Sequence, residues 1–284
     1  MSDGSSEPTR GAVTLGEQRI SYLDWGAPAP DAAVLLLVHG TMGCAADWSR
    51  VAPRLAGDFR VIALDQRGHG DSSHPPAPGG HRTEDYLADI EGLADALGLD
   101  RFAICGHSMG GHNAIGFAAR YPDRVLCALA NDILPAPAVR IDQWEPRLPG
   151  RANPVFATVD EYVAARRETA PDAPEELLRE EAGWRLTAVE GGLQAVADPR
   201  SAFDWEPADL WEEAAGIRCP ILYIRAGRSP ALDAATQQRM VMQTPRARSV
   251  SLELSGHNTY LDREEEFVSM AHGFFAAHVG VPVA

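Results

Sequence analysis

Residues 106–110 read G-H-S-M-G and place Ser108 in a spacing that can present a hydroxyl as a nucleophile. The pentapeptide follows an apolar run typical of a buried strand and opens a stretch typical of a helix. A serine at the tip of such a tight turn has a strained backbone, and the flanking glycines let the neighbouring backbones pack closely. The turn also puts the Met109 N–H at a helix N-terminus, where aligned peptide dipoles stabilise a developing oxyanion. This arrangement predicts nucleophilic attack on a carbonyl carbon.

A serine nucleophile requires a general base, and His257 is the histidine best placed to supply it. The chain contains nine histidines. His257 follows the last apolar run, precedes the last predicted helix and is adjacent to Gly256, so its ring can reach across the carboxyl edge of a sheet to Ser108. We therefore predict that His257 is the base. His107 is next to the serine in sequence, but we expect its side chain to point away from the serine's and to serve packing.

Four segments in this order resemble the α/β-hydrolase superfamily, and the resemblance covers nearly the whole chain. They are His39-Gly40, residues 65–72 (D-Q-R-G-H-G-D-S), the pentapeptide around Ser108 and residues 255–258 (S-G-H-N). The resemblance implies a serine esterase or lactonase with a helical lid. It also implies that charge and glycine fix the geometry of the second segment, in which we interpret Asp65, Arg67 and His69 as structural residues.

The resemblance further implies a second oxyanion donor. Family members use the loop after the His-Gly pair, which corresponds here to the backbone N–H of Thr41, with Met42 as the neighbouring alternative. Because these donors are backbone groups, no particular side chain is required. Together, the Thr41 and Met109 N–H groups would form the oxyanion hole that binds the oxygen of the tetrahedral intermediate.

The acid of the expected triad departs from the commonest family pattern. Most members carry Asp a few residues after the strand that matches I-L-Y-I-R-A-G, but this chain has Pro230 there, with Asp233 nearby and displaced. In a minority that includes haloalkane dehalogenases, the acid follows the preceding strand, which here ends at Asp132. The resemblance therefore implies that Asp132 orients the His257 ring and stabilises its imidazolium. Asp233 remains the alternative acid, and Asp132 could instead cap a turn or helix.

Strands and helices must alternate to bring these groups together, and the sequence predicts that they do. Short runs rich in Val, Ile and Leu predict strands at 32–40, 59–65, 101–108, 124–132, 220–227 and 247–256, and a hairpin around Gly16 starts the sheet. Helical spacing predicts helices at about 45–55, 84–97, 109–120 and 262–277. Such alternation favours an α/β fold with parallel strands and right-handed crossovers.

The domain organisation follows from where this alternation stops. Residues 1–10 are expected to be disordered, and residues 11–134 and 216–284 to form the core domain: an eight-stranded, mostly parallel α/β-hydrolase sheet flanked by helices. Residues 135–215 are too long for a loop, and they predict a helical cap inserted after the sixth strand. Its aromatic residues either line the substrate site or join the cap to the core; they are Trp144, Trp184, Trp205, Trp211 and Phe156.

The composition limits the partners. The 25 basic residues are all Arg, so lysine-dependent Schiff-base and P-loop chemistry are excluded, and no cofactor or metal is expected. The net charge of -15 disfavours nucleic acid and anionic membranes. The four cysteines lack C-x-x-C spacing, and we interpret them as reduced core thiols. Because the N-terminus lacks an apolar signal region, we expect a cytoplasmic monomer or homodimer acting on a small molecule.

The expected function is hydrolysis of a carboxylic ester or lactone of a small, largely apolar molecule through an acyl-enzyme intermediate. A serine in place of aspartate at position 108 argues against dehalogenase and epoxide hydrolase chemistry, which resemble this fold but use a carboxylate nucleophile. One alternative is a cofactor-independent oxygenase or C–C bond hydrolase that uses His257 and its carboxylate partner as a base. Another is a small-molecule receptor that retains the triad without turnover.

Overall fold

The computed structural model of the 284-residue chain describes residues 7–139, 141–168 and 170–279. Its strands are β1 Thr9–Leu15, β2 Gln18–Asp24, β3 Val34–Val38, β4 Arg60–Leu64, β5 Phe102–His107, β6 Val125–Asn131, β7 Val155–Phe156, β8 Leu186–Val189, β9 Gly192–Ala195, β10 Ile221–Ala226 and β11 Ala247–Leu252. Its α-helices are α1 Ala52–Leu55, α2 Thr83–Ala96, α3 Met109–Arg120, α4 Ile141–Trp144, α5 Val159–Arg166, α6 Glu175–Arg185, α7 Arg200–Phe203, α8 Trp211–Ala214, α9 Ala234–Gln243, α10 Thr259–Asp262 and α11 Glu264–Val279. Short 3₁₀ helices lie at Ala45–Trp48 and Pro149–Arg151.

Eight strands form one sheet in the order β1-β2-β4-β3-β5-β6-β10-β11. Strand β2 is antiparallel to both β1 and β4, and the remaining neighbours are parallel. The predicted eight-stranded, mostly parallel sheet is thereby confirmed. Strand β4, the next strand along the chain, lies beside β3 in the sheet, and the strand after it, β5, lies beside β3 on the opposite side. Ligands of open parallel sheets bind beyond the carboxyl ends of strands at such a reversal of direction.

The central strands β3, β4, β5, β6 and β10 are buried on both faces, which explains why they are nearly continuous apolar runs rather than alternating ones. In β3, Leu35 and Leu37 pack into one core cluster, and Leu36 and Val38 pack into the cluster on the opposite face. Both clusters extend into the flanking helices. The strand ends are therefore anchored by packing on two sides, and the loops that follow them start from fixed positions.

Some elements differ from the prediction. Instead of one helix at 45–55, the chain forms a 3₁₀ turn and then the four-residue α1, which has Pro53 in its first turn, where the missing N–H is tolerated. Helix α11 begins at Glu264, after the separate turn α10. Strand β1 begins at Thr9, inside the segment predicted to be disordered, and residues 1–6 lie outside the described part.

The segment between β6 and β10 contains helices α4 to α8, together with an antiparallel sheet in the order β7-β9-β8 that the sequence analysis did not predict. These strands have two to four residues and are largely half-exposed, so they carry no apolar run. The segment is therefore not purely helical. We call residues 135–215 the inserted segment. No helix within the described ranges has the length and apolar character that crossing a membrane would require.

The aromatic residues of the inserted segment contact other protein groups. The Trp205 ring packs edge-on against His112 with 5.6 Å between centroids, and the Arg239 guanidinium lies 3.8 Å from the centroid of Trp211. Trp184 packs against the core cluster on the α11 side of the sheet. The side chain of Trp144 lies outside the described residues. The contacts of these three tryptophans join the inserted segment to the core.

Candidate active site

Ser108 lies between β5 and α3 with a positive φ of 51° and a ψ of -122°, a conformation that side chains rarely adopt. Its N–H donates to the Asn131 carbonyl at the end of β6, 2.9 Å away. A side-chain carbon at Gly106 would overlap the Gly110 carbonyl, which explains the glycine there. The serine is half-buried, although the strand before it is fully buried. The turn therefore brings the hydroxyl to the carboxyl edge of the sheet.

Asp132 and His257 form a hydrogen-bonded pair at the same edge. The His257 Nδ1 lies 2.7 Å from Asp132 Oδ2, and the other carboxylate oxygen accepts the Ala226 N–H at 3.0 Å. Asp132 is fully buried and its own N–H donates to the Ile224 carbonyl at 2.8 Å. A carboxylate only accepts, so Nδ1 carries the proton and Nε2 keeps its lone pair. This is the tautomer that a general base needs.

Asp233, the alternative acid, lies elsewhere. It is exposed and caps α9, accepting hydrogen bonds from the Thr236 N–H at 2.8 Å and the Thr236 hydroxyl at 2.7 Å. These hydrogen bonds lower the pKa of the Asp233 carboxyl. The structure thus brings His257 together with Asp132, whereas Asp233 is engaged in a helix cap.

The loop that carries Thr41 lies against the serine. A Cβ atom at Gly40 would come within 3.1 Å of the Ser108 Cβ, a tighter contact than most side chains make, so glycine favours this close approach of the two backbones. The Met42 N–H donates to His69 Nε2 at 3.2 Å and is therefore already engaged. Within the described ranges, neither the Thr41 N–H nor the Met109 N–H donates to another residue. Of the two loop candidates, Thr41 is the available donor.

His39 ties this loop to the next one. Its Nδ1 donates to the Gly40 carbonyl at 2.7 Å, and its Nε2 accepts the Gln66 N–H at 3.0 Å. Complete burial lowers the pKa of His39 to about 3, so its ring is neutral at physiological pH. The ring is edge-on to that of His69, with 4.9 Å between centroids. The His-Gly motif is therefore an anchor for the turn that follows β3.

His107, expected to serve packing, lies directly beside the base. Its buried ring is 4.6 Å from the ring of His257 and 5.1 Å from that of Tyr260, between centroids. The Asn131 amide lies 3.1 Å from its Nδ1, and Asn131 in turn accepts the Thr259 hydroxyl at 2.9 Å. Burial and the neighbouring His257 keep the pKa of His107 well below its usual range. A neutral imidazole thus packs against the His257 ring.

A buried ion pair joins the inserted segment to the turn after β3, and the sequence analysis missed it. Arg185 Nε and Nη2 contact the two carboxylate oxygens of Asp47 at 2.9 and 2.6 Å, and its Nη1 lies 3.5 Å from the Met42 carbonyl. Asp47 also accepts the Cys44 N–H at 3.2 Å. Burial raises the pKa of Asp47, and Arg185 opposes this shift. No local pattern marks a pair 138 positions apart.

A second pair continues this network within the inserted segment. Arg166 contacts both carboxylate oxygens of Glu181 at 2.9 and 3.0 Å, and Glu181 lies 3.4 Å from Arg185. Burial raises the pKa of Glu181, but Arg185 and Arg166 together outweigh burial and lower it. Two guanidinium groups and two carboxylates thus alternate in space and neutralise one another.

The arrangement combines a hydroxyl in a strained turn, an imidazole with a fixed tautomer and two backbone N–H groups at one sheet edge. In the described part of the chain, no group of three or more His, Cys, Asp or Glu side chains is arranged to hold a metal ion. These groups can perform acyl transfer, because each step of that reaction needs only a nucleophile, a base and an oxyanion site.

Comparison with known proteins gives the same fold and a consistent family. Residues 33–264 match the family described as alpha/beta hydrolase fold. The chain is 31% identical over 209 residues to 2-(acetamidomethylene)succinate hydrolase of Mesorhizobium japonicum, covering 71% of this chain and 73% of that protein. It is 30% identical to 3-hydroxybutyrate-oligomer hydrolase of Cupriavidus necator, covering 95% of this chain and 99% of the relative.

Solved structures agree on the architecture. The crystal structure of E-2-(acetamidomethylene)succinate hydrolase has a TM-score of 0.83 with this chain, at 24% identity, covering 96% of this chain and 99% of that one. At that identity the likeness concerns the fold, while the family assignment rests on the sequence matches. The chain therefore belongs to the α/β-hydrolase fold family and is a hydrolase.

Proposed function

We propose that the protein hydrolyses a carboxylic ester or lactone through an acyl-enzyme intermediate on Ser108. The hydroxyl attacks the carbonyl carbon while His257 Nε2 takes its proton, and Asp132 stabilises the imidazolium that forms. The Thr41 and Met109 N–H groups bind the oxyanion, and the protonated His257 then donates its proton to the leaving alcohol. Water attacks the acyl-enzyme by the same route in reverse, releasing the acid and the free serine.

The observation that carries this proposal is the position of the acid and the serine on neighbouring strands. The Ser108 N–H donates to the Asn131 carbonyl, and the next residue, Asp132, pairs with His257. One backbone hydrogen bond therefore connects the nucleophile to the residue that precedes the acid. An imidazole with Nδ1 held by a buried carboxylate has Nε2 available for the serine proton.

The inserted segment, residues 135–215, is proposed as a cap that provides part of the substrate site. Leu148, Ala202 and Phe203 form a small apolar cluster, and Met42, from the turn after β3, packs against it. A packed apolar cluster thus lies against the residue next to Thr41. This position supports a small, largely apolar acyl or alcohol group as substrate, and the net charge of -15 disfavours a polyanion.

The proposal is tested with a panel of p-nitrophenyl esters and unsubstituted lactones, followed by labelling with a fluorophosphonate. We expect turnover of short or medium acyl chains and a covalent label on the peptide that contains Ser108. Ser108→Ala should lose both. Ligand binding without turnover over hours would instead support a receptor.

A base-only reaction is the second candidate, as in a cofactor-independent oxygenase or C–C bond hydrolase. The observation that favours it is that the Asp132–His257 pair is complete without the serine, so Nε2 could take a proton directly from a substrate. In that case Ser108→Ala would keep substantial turnover of a substrate with an acidic C–H or O–H group. An acyl-enzyme reaction would not survive that change.

A further inference from the structure

The turn after β3 contains an unfavourable backbone conformation that must be held from outside. The Gly43 N–H donates to the Gly40 carbonyl at 3.0 Å and closes a four-residue turn. Met42, at its third position, has a φ of 62°, in the left-handed region. Turns of this kind normally carry glycine or asparagine at that position, because a side chain is disfavoured there.

His69 supplies a contact that can hold this turn. Its Nε2 accepts the Met42 N–H at 3.2 Å, and its Nδ1 contacts the Arg67 carbonyl at 2.9 Å. Because a carbonyl only accepts, Nδ1 carries the proton and Nε2 has a free lone pair. The ring is completely buried, and burial keeps the pKa of His69 well below its usual range. The acceptor is therefore present throughout the physiological pH range.

The turn is held on both sides by neutral imidazoles. His39 binds the Gly40 carbonyl at its start, and His69 binds the Met42 N–H at its third position. Thr41 lies between these two anchors, and its N–H donates to no other described residue. His39 thus holds the Gly40–Thr41 peptide, which carries the Thr41 N–H, and His69 holds the peptide that follows it.

We propose that His69 is a positioning residue for the oxyanion hole, an inference that rests on the proposed function. Its Nε2 holds the Thr41–Met42 peptide, which carries the Met42 N–H and the Thr41 carbonyl, so that the Met42 N–H is turned away from the serine. The Thr41 N–H, on the preceding Gly40–Thr41 peptide, is then the donor that this turn offers to the serine. Without this acceptor the peptide rotates toward the commoner turn in which Met42 leaves the left-handed region. Because oxyanion stabilisation depends on donors placed to within a fraction of an ångström, the chemical step then slows.

The direct test compares His69→Leu, which removes the acceptor, with His69→Gln, whose side-chain oxygen can accept the same hydrogen bond. With p-nitrophenyl butyrate we expect His69→Leu to lower kcat by about tenfold to a hundredfold, with KM changed by less than about threefold. His69→Gln should recover at least half of this loss on a logarithmic scale. Thermal unfolding of both variants identifies the fraction that is folded, and kcat is expressed per folded enzyme.

A pair of inhibitors separates oxyanion binding from general packing. The trifluoromethyl ketone with a propyl chain forms a tetrahedral adduct with the serine, whereas the matching methyl ketone stays planar. We expect His69→Leu to raise the inhibition constant of the trifluoromethyl ketone by the same factor by which kcat falls, and to leave the inhibition constant of the methyl ketone unchanged. If His69 served only packing, its replacement would raise both inhibition constants equally or change neither of them.

A second background tests the turn itself. Glycine favours the left-handed conformation at position 42, so in Met42→Gly the turn needs less support from His69. We expect the factor by which His69→Leu lowers kcat to be at least about threefold smaller in this background than in the parent protein.

Equal costs in the two backgrounds, or an unchanged kcat in His69→Leu, would overturn the role of His69. The proposed function is judged separately by Ser108→Ala. If that variant loses turnover while His69→Leu keeps it, only the positioning role falls. If Ser108→Ala keeps full turnover, both proposals fall.

Discussion

At the carboxyl edge of the sheet, Ser108 and Asp132 each directly follow a strand, whereas the inserted segment carries its residues on helices of four to eleven residues and on very short strands. The edge is held by backbone hydrogen bonds and a core packed on both faces. The inserted segment is held against the core by buried ion pairs such as Arg185–Asp47, by tryptophan contacts and by a few backbone hydrogen bonds, such as the one from the Asp198 N–H to the Gly68 carbonyl at 2.7 Å. The reaction geometry thus comes from topology, whereas the segment that we propose as a cap depends largely on side-chain contacts for its attachment.

The two regions also differ in their titrating groups. All nine histidines lie outside residues 135–215, and five of them are buried: His39, His69, His81, His107 and His112. The inserted segment titrates only through carboxylates in the acidic range. As the pH falls, we therefore expect the residues at the sheet edge to lose stability first. Mutations that alter substrate preference should be found mainly in the inserted segment.

Ser108→Ala should have the largest effect, since it removes the nucleophile from the sheet edge. We expect kcat for an ester substrate to fall by about 10⁵-fold. Ser201→Ala is the matched change in the inserted segment, where the Ser201 hydroxyl contacts the Met42 sulfur at 3.7 Å. It should alter KM more than kcat. Steady-state kinetics would break the comparison if Ser201→Ala lowered kcat as strongly as Ser108→Ala.

Asp132→Asn should come next, with a fall in kcat of about 10⁴-fold, because an amide N–H₂ facing His257 favours the wrong tautomer. Asp233→Asn is the control. Asparagine caps a helix as well as aspartate does, so both stability and kcat should match the parent protein. An unchanged kcat in Asp132→Asn, or a large loss in Asp233→Asn, would mean that the acid is misassigned.

Arg185→Met removes the buried ion pair that connects the two regions. It leaves the buried Asp47 carboxylate without its partner, so we expect the free energy of unfolding to fall by about 3–5 kcal/mol. Adding Asp47→Leu removes the orphaned charge and should restore most of the loss. Urea unfolding measures both variants, and a double variant as unstable as the single one would show that charge pairing is not the cause.

The buried histidines give the sheet edge a pH dependence. Burial lowers the pKa of His39 to about 3, so on unfolding below pH 6.5 its ring takes up a proton that the folded protein does not bind. Stability is therefore complete above pH 6.5 and falls as the pH falls. His39 alone should cost about 2 kcal/mol between pH 7 and pH 5.

Urea unfolding at the two pH values checks this fall in stability. Replacement of the half-exposed His272 by Gln provides the control, because this ring is not buried in the core. The variant should show the same decrease as the parent protein. A free energy of unfolding that stays constant down to pH 5 would contradict the neutral, buried state of these rings.

Thr158→Ala should have the smallest effect. The Thr158 hydroxyl caps α5 in the inserted segment by accepting the Glu161 N–H at 3.3 Å, and its loss should cost about 1 kcal/mol. Turnover should not change, because this hydrogen bond connects two residues within the inserted segment and involves none of the proposed catalytic groups. Thr158→Ser keeps the cap and serves as the control; a loss of kcat in Thr158→Ala alone would place α5 closer to the reaction than we infer.

The sheet and its strand ends were predictable because they depend on local patterns. The buried apolar run before Ser108 and the turn glycines are contiguous in sequence. His257 likewise follows the last strand by only a few residues. The choice between Asp132 and Asp233 needed the parallel pairing of β10 with both β6 and β11. That register is a non-local property, so the sequence alone left both candidates open.

Other features could not be predicted for the same reason. The Arg185–Asp47 pair spans 138 positions, and the Met42–His69 hydrogen bond spans 27. The small sheet of the inserted segment has strands too short to show periodicity. The features that the sequence does not predict are contacts between residues that lie far apart in the chain. Such residues become neighbours only when the chain is folded.

The central claim is that the Ser108 oxygen becomes acylated, and a rapid-quench experiment with p-nitrophenyl acetate tests it most directly. We predict a burst of p-nitrophenol equal to the enzyme concentration, with one acetyl group on the peptide that contains Ser108, as measured by mass spectrometry. Ser108→Ala should show neither signal. An acetyl group on a different residue, or steady turnover of the parent protein with no acylated peptide at any quench time, would contradict the account.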